Sequence, residues 1–303
     1  MKLRYAMALA TAAMFAAQAQ AQSLKFGGDR AIDVTAEGGF EVQQDNKRVI
    51  ARGNAKAVQG EVTVVGDELI ADYRTKADGS TEVYRVFASG NVSMKSTSET
   101  ASGDTAIYDF DKGVLVLEGK TVTLVNPEGS VTAHQALQYW ANERVAVAEG
   151  NAVAVDKDKR TLAADKLIAF FKQDAAAAKT EGSKPVLPGN RGDIELLQGF
   201  GNVRMQTAKE IVRGNRGTYN LATGVATLDG DVKITQNNNQ LGGGFAVVNV
   251  RGGTSRLFAN AQQAGMQSVR ENGRVAALIA PSTQKDTPPA TAPAAAPAAP
   301  AKR

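Results

Sequence analysis

Covalent chemistry needs nucleophiles, bases or metal ligands, and this 303-residue chain supplies few: a single histidine, His134, and no cysteine. A lone histidine excludes His-based triads and multi-histidine metal sites, and the lack of cysteine excludes thiol catalysis, thiolate sites and disulfides. His134 follows Ala133 at a position that Asp occupies in related segments, so it reads as a turn residue rather than a base. The pairs Asp109/Asp111 and Asp156/Asp158 resemble acid–base or metal-binding carboxylates. Each reads as part of a hairpin turn beside lysine, without the ligand spacing of a calcium loop. Gly242-Gly243-Gly244 is followed neither by a helix nor by Lys-Ser/Thr, so it is no phosphate loop. Arg191-Gly192-Asp193, Arg251-Gly252-Gly253 and Asn91-Val92-Ser93 mimic adhesion, RNA-binding and glycosylation motifs, but they are short matches in Gly-rich turns or repeat marks. The chain reads as a non-enzyme without cofactor or metal.

Hydrophobic residues make up 43% of the chain, charged residues 22% and aromatics 6%. The net charge is +4, half of it from Lys2 and Arg4, an excess too shallow to indicate nucleic-acid binding. Met1–Arg4 is basic, Ala6–Ala17 apolar, and Ala19-Gln20-Ala21 fits a small-x-small cleavage site. Residues 1–21 therefore read as an export signal, with the mature chain starting about Gln22 in the periplasm or outside the cell. The apolar stretch is shorter than the roughly 18 residues of a membrane span. At the other end, Pro281–Arg303 is rich in Ala and Pro and reads as a disordered tail.

Between these ends, from about residue 31 to 280, short runs alternate apolar and polar side chains, as strands do. Two marks recur in step, roughly every thirty residues. One is Gly followed by Asn or a substitute: Gly53-Asn54, Gly90-Asn91, Gly119-Lys120, Gly150-Asn151, Gly201-Asn202 and Gly230-Asp231. The other is a small residue followed by a polar one: Ala36-Glu37, Gly66-Asp67, Gly103-Asp104, Ala133-His134, Ala164-Asp165 and Gly214-Asn215. A turn around Lys76–Ser80 and a surface-loop insertion at about 172–193 account for the longer intervals. A helix-free unit of that length holds at least two strands, so the body should contain roughly 14 to 18. The Gly and Asn residues suit corners that require positive φ, a turn role without any ligand.

Alternation sorts side chains onto two walls. One wall carries Val92 and Met94, Val122 and Leu124, Val203 and Met205, Val232 and Ile234 after the first mark. After the second mark it carries Leu69 and Tyr73, Tyr108, and Leu167. The opposite wall is largely Ser, Thr, Lys, Asp and Gln. This pattern fits a sheet folded over on itself, either packed shut or open as an apolar trough.

The opening Ile32-Asp33-Val34-Thr35-Ala36-Glu37, then Arg52-Gly53-Asn54-Ala55, then Gly66-Asp67-Glu68-Leu69 resemble successive marks of the OstA-like family of periplasmic lipopolysaccharide-transport proteins, with Glu37 where Asp is usual. The resemblance spans roughly residues 31 to 280, apart from the insertion. It implies an elongated, twisted β-jellyroll, V-shaped in section, whose inside shelters the acyl chains of lipopolysaccharide. The groove wall would then be Ile32, Val34, Leu69, Tyr73, Val92, Met94 and Tyr108, continuing through Val122, Leu124, Leu167, Val203, Met205, Val232 and Ile234. Implied partners are an LptC-like inner-membrane component, an LptD-like outer-membrane component and further copies joined edge to edge. Two other readings compete. A carbohydrate-active β-solenoid would cluster carboxylates on one wall, whereas here they scatter at corners. A structural β-repeat protein would have a closed core and no lipid.

Overall fold

A long strand that lines two facing walls must bend in the middle, and the Gly-Asn marks are where these strands bend. The computed structural model describes residues 32–172 and 194–265, and 276–278 as backbone only. The leader, the insertion beyond Lys172 and the tail lie outside the described residues. The first strands are β1 (Asp33–Thr35), β2 (Phe40–Gln43), β3 (Arg48–Gln59), β4 (Val62–Thr75), β5 (Thr81–Lys95) and β6 (Thr100–Asp109). Four short ones follow: β7 (Val114–Glu118), β8 (Val122–Asn126), β9 (Gly129–Ala133) and β10 (Ala136–Trp140). Then come β11 (Val145–Asp156), β12 (Thr161–Phe171), β13 (Ile194–Gln206), β14 (Ile211–Asn220), β15 (Val225–Gln236) and β16 (Asn239–Asn249). Among the described residues, β17 (Thr254–Phe258) and β18 (Ala276–Leu278) complete an 18-stranded antiparallel sheet and no α-helix occurs. The all-β jellyroll expectation holds, at the top of the expected strand number.

The pairings show how the sheet folds over. β2 pairs with the first half of β3 and β1 with its second half. At the far end β17 pairs with one half of β16 and β18 with the other. Between these edges every long pair breaks register at a mark, for example between Arg52 and Ala55, or between Phe200 and Val203. Each long strand thus runs through two leaves, called here the β2 leaf and the β1 leaf after their edge strands. In the middle the same path is made by separate strands: β7 and β10 lie in the β2 leaf, β8 and β9 in the β1 leaf.

The two marks are bonded to each other. Asn91 Nδ2 donates to both carboxylate oxygens of Asp67 at 3.1 and 3.2 Å, and Asn202 Nδ2 to both of Asp165 at 3.0 Å. Asn54 Nδ2 donates to Glu37 at 2.9 Å, so the Glu at that position serves as the usual Asp would. Gly90 (φ 72) and Asn91 (φ 50) are both left-handed, and a Cβ on Gly90 would stand 2.1 Å from an Asp67 oxygen. Only glycine meets both demands. At Gly119-Lys120 neither residue takes positive φ, Lys120 N–H donates to Asp104 at 2.9 Å, and the strand is interrupted there. His134 closes this corner with Nδ1 3.0 Å from the Lys120 carbonyl, a turn role as its neighbours indicated.

Inward side chains from both leaves form two apolar clusters. The first runs from Ile32 to Tyr139 and the second from Ala133 to Val248, with Leu137 packed against both. Small residues fill the corner: Ala55, Val122, Ala133 and Ala152 have no exposed surface, and Val203 and Val232 almost none. Side chains this small let the two leaves approach closely along the bend.

Candidate functional site

Away from the corner the leaves part. At mid-molecule they enclose a cavity of about 400 Å³, within the roughly 300–1,000 Å³ of small-molecule sites. Its β2-leaf wall is built by Leu115, Leu117, Leu137, Tyr139, Leu167 and Leu197. Leu124, Val131, Ala154, Leu162 and Met205 form the β1-leaf wall. Alternation along each strand puts these side chains inward and the intervening ones, polar Thr123 and Lys166 as well as apolar Val116 and Val125, on the other face. Phe171 stands edge-on to Tyr139, ring centroids 5.9 Å apart, at the free end of the β2 leaf.

The rim is polar. On the β1-leaf lip, Lys157 pairs with Glu128 at 2.8 Å, and Arg160 with Asp156 at 2.6 Å and Asp158 at 2.8 Å. The hydrogen bond and charge of Glu128 raise the Lys157 pKa, keeping it protonated. Asp156 thus serves its turn and Arg160, just as Asp111 is engaged by Arg74 at 2.7 Å and Asp109 by Arg85 at 3.0 Å. Among the described residues no group of three potential metal ligands occurs. What this arrangement offers is an apolar space with a charged lip, suited to the tails of an amphiphile.

The structure distributes the anticipated wall residues unevenly. Ile32, Leu69, Val92, Met94 and Val122 are buried in the first cluster, and Leu167, Val203, Met205, Val232 and Ile234 in the second. Val34, Tyr108 and Leu124 pack against the first as half-buried neighbours. Of the fourteen, Leu124, Leu167 and Met205 line the cavity, whereas Val92, Val122, Val203 and Val232 sit nearly or fully buried at the corner. Tyr73 belongs to neither cluster; it pairs with Val83 at the end of β4, where a bulge leaves Tyr84 of β5 without an opposite residue. Leu115, Leu117, Leu137 and Leu162 are wall residues that the marks did not single out. Leu115, Leu117 and Leu137 lie in Val114–Glu118 and Ala136–Trp140, short and largely apolar strands in which alternation gives little to sort one face from the other.

Leu137 joins two clusters of like construction, and the family comparison divides the chain in the same way. The family described as LptA/(LptD N-terminal domain) LPS transport protein matches twice, over residues 33–138 and 130–254. An uncharacterized protein of Rhizobium meliloti (strain 1021) is 27% identical over 113 residues, which is 36% of this chain. The chain spans 60% of the length of that curated relative. Among solved structures, LptH, described as the LptA homologous periplasmic component of the lipopolysaccharide transport device from Pseudomonas aeruginosa, is 12% identical. The alignment covers 83% of this chain and 96% of that one with a TM-score of 0.21. With both matches falling on the folded body, the chain belongs to the LptA/(LptD N-terminal domain) family of lipopolysaccharide-transport proteins.

Proposed function

We propose that this protein is a periplasmic lipopolysaccharide carrier and bridge subunit, which shelters acyl chains between its leaves on their way from inner to outer membrane. The apolar cavity between the leaves, closed at the corner and lipped by charge, is the observation that supports this reading. Burying a saturated chain against such walls gains about 0.8 kcal/mol per CH₂. Aliphatic side chains offer no directional contacts, so sliding along the trough changes the energy little and direction must come from an energy source on another protein. The fourteen anticipated residues then divide the work. Leu124, Leu167 and Met205 touch the lipid, and the corner valines hold the leaves at the right angle.

Bridging rests on the edges. Among the described residues, β1 and β2 at one end pair only with β3, and β17 and β18 at the other only with β16. Such edges template strand addition. On β2, Phe40 and Val42 pair in register with Ala51 and Val49, so they face inward, yet they are 53% and 58% exposed. A further copy, an LptC-like component or an LptD-like component added there would cover them and extend the trough. The test is a photocrosslinking amino acid at Met205 or Leu137 in the cell. Labelled lipopolysaccharide is expected at both positions. A lack of labelling would favour the structural repeat protein with a closed core.

A further inference from the structure

Wherever two charged residues stand directly opposite each other in the described ladders, they carry opposite signs, with one exception. Arg48, Asp72, Arg85 and Asp109 alternate across β3 to β6. Arg52 faces Glu68, Arg74 faces Glu82, Glu149 faces Lys166 and Arg216 faces Asp229. The exception is a row on the β1 leaf, where Arg204 of β13 faces Arg213 of β14 and Arg213 faces Lys233 of β15. Like charges in that position destabilise a sheet. All three are exposed, and their chain neighbours Val203, Met205, Val212, Val232 and Ile234 are buried, so the row projects from the outer face. It is flanked in register by Ala163 and Gly242, which leave it uncovered. Among the described residues no ion pair involves any of the three, and Arg204 Nη2 donates to the neutral Gln206 at 2.8 Å.

We propose that this row is an anion-binding strip for the charged saccharide of a lipopolysaccharide whose acyl chains lie on the other side of the same leaf, an inference that rests on the groove function above. Met205 lines the cavity, and Arg204 is its neighbour in the chain on the opposite face. The lip of the leaf at Thr207 is three residues beyond Arg204, about 10 Å along a strand rising roughly 3.4 Å per residue. A saccharide leaving the cavity over that lip therefore arrives at the row. The lip turn adds the exposed Lys209, while its carboxylate, Glu210, accepts hydrogen bonds from Ser255 at 2.8 and 3.0 Å. Adjacent strands lie about 4.8 Å apart, so the row offers spaced cations to anionic groups on neighbouring sugars. Two of the three are guanidinium groups, whose planar donors match phosphate and carboxylate oxygens alike.

The test uses the full chain and a lipopolysaccharide saccharide stripped of its acyl chains but retaining its anionic groups. Arg213→Glu turns the row into an alternating ladder and so should fold at least as well as the parent. Lys56→Glu, on the same outer face but far from the row, is the control. The saccharide should bind the parent and the control, weaken with added salt, and bind Arg213→Glu roughly tenfold more weakly. Equal binding to Arg213→Glu, or binding to phosphatidylglycerol vesicles without binding to the saccharide, would overturn the proposal. The second outcome would make the row a membrane contact. Since the probe has no acyl chains, its binding reports on the row alone. Failure of the groove would instead show as absent crosslinking at Leu137 with saccharide binding intact.

Discussion

The two family-matched halves agree inside and differ outside. Their inward faces are built alike: alanine and valine at the corner, larger aliphatics nearer the mouth, and an Asn–Asp bond at comparable corners, Asn91–Asp67 in one and Asn202–Asp165 in the other. Their outer faces are not alike. The first half carries an alternating ladder, Arg48–Asp72–Arg85–Asp109, and the second a run of three cations. A folded-over sheet constrains its inner wall at every strand, because leaves must close at the corner and part at the mouth. The outer wall is held only by solvation and by its neighbours, so differences accumulate there and record what each half meets.

If the inner faces are equivalent, matched truncations should cost the same. Leu117→Ala in the first cluster and Leu228→Ala in the second, both buried, should each lose about 2–5 kcal/mol in urea unfolding. A large disparity would break the comparison. The corner pairs come next. Asn91→Ala and Asn202→Ala each lose a charge-assisted bond and place alanine at positive φ, for a cost of roughly 1–3 kcal/mol each.

A smaller effect separates the outer faces by pH. Burial pushes the Asp109 carboxyl up, but the Lys112 N–H and Arg85 outweigh it and hold the group below its ordinary value. Its stabilisation is therefore complete above the unfolded value of about 3.9 and disappears as pH falls through the lower folded value. Hydrogen exchange should show β5 and β6 loosening in that acid range, with Asp109→Asn removing the dependence. The smallest expected change is Arg213→Glu, which should stabilise the second half by about 0.2–1 kcal/mol in thermal unfolding. The same reversal at Arg85 should destabilise the first half.

The corners were legible in the sequence because positive φ restricts residue choice so tightly that Gly-Asn survives as a visible mark. The bond between Asn91 and Asp67 was not, since spacing alone does not say which marks touch. Alternation placed Val92, Val203 and Val232 on the inner wall, yet gave no depth along it, so corner filler and cavity wall looked the same. Tyr73 shows where the rule ends, because alternation gives it the same face as Leu69, yet at the end of β4 it joins neither cluster. The division into halves was hidden for a different reason. Each unit of about thirty residues looks like its neighbours, and the seam at Leu137 exists only in the packing. The cation row is likewise a property of register, which spacing along three consecutive strands does not fix.

The central claim is that acyl chains lie between the leaves. The most direct measurement is intermolecular NOEs from lipid methylenes to methyl-labelled protein in complex with lipopolysaccharide. Contacts are expected to the methyls of Leu137, Leu162 and Leu167 and none to Val122 or Val232 at the corner. Lipid contacts confined to outer-face methyls, or none at all with lipid bound, would contradict it.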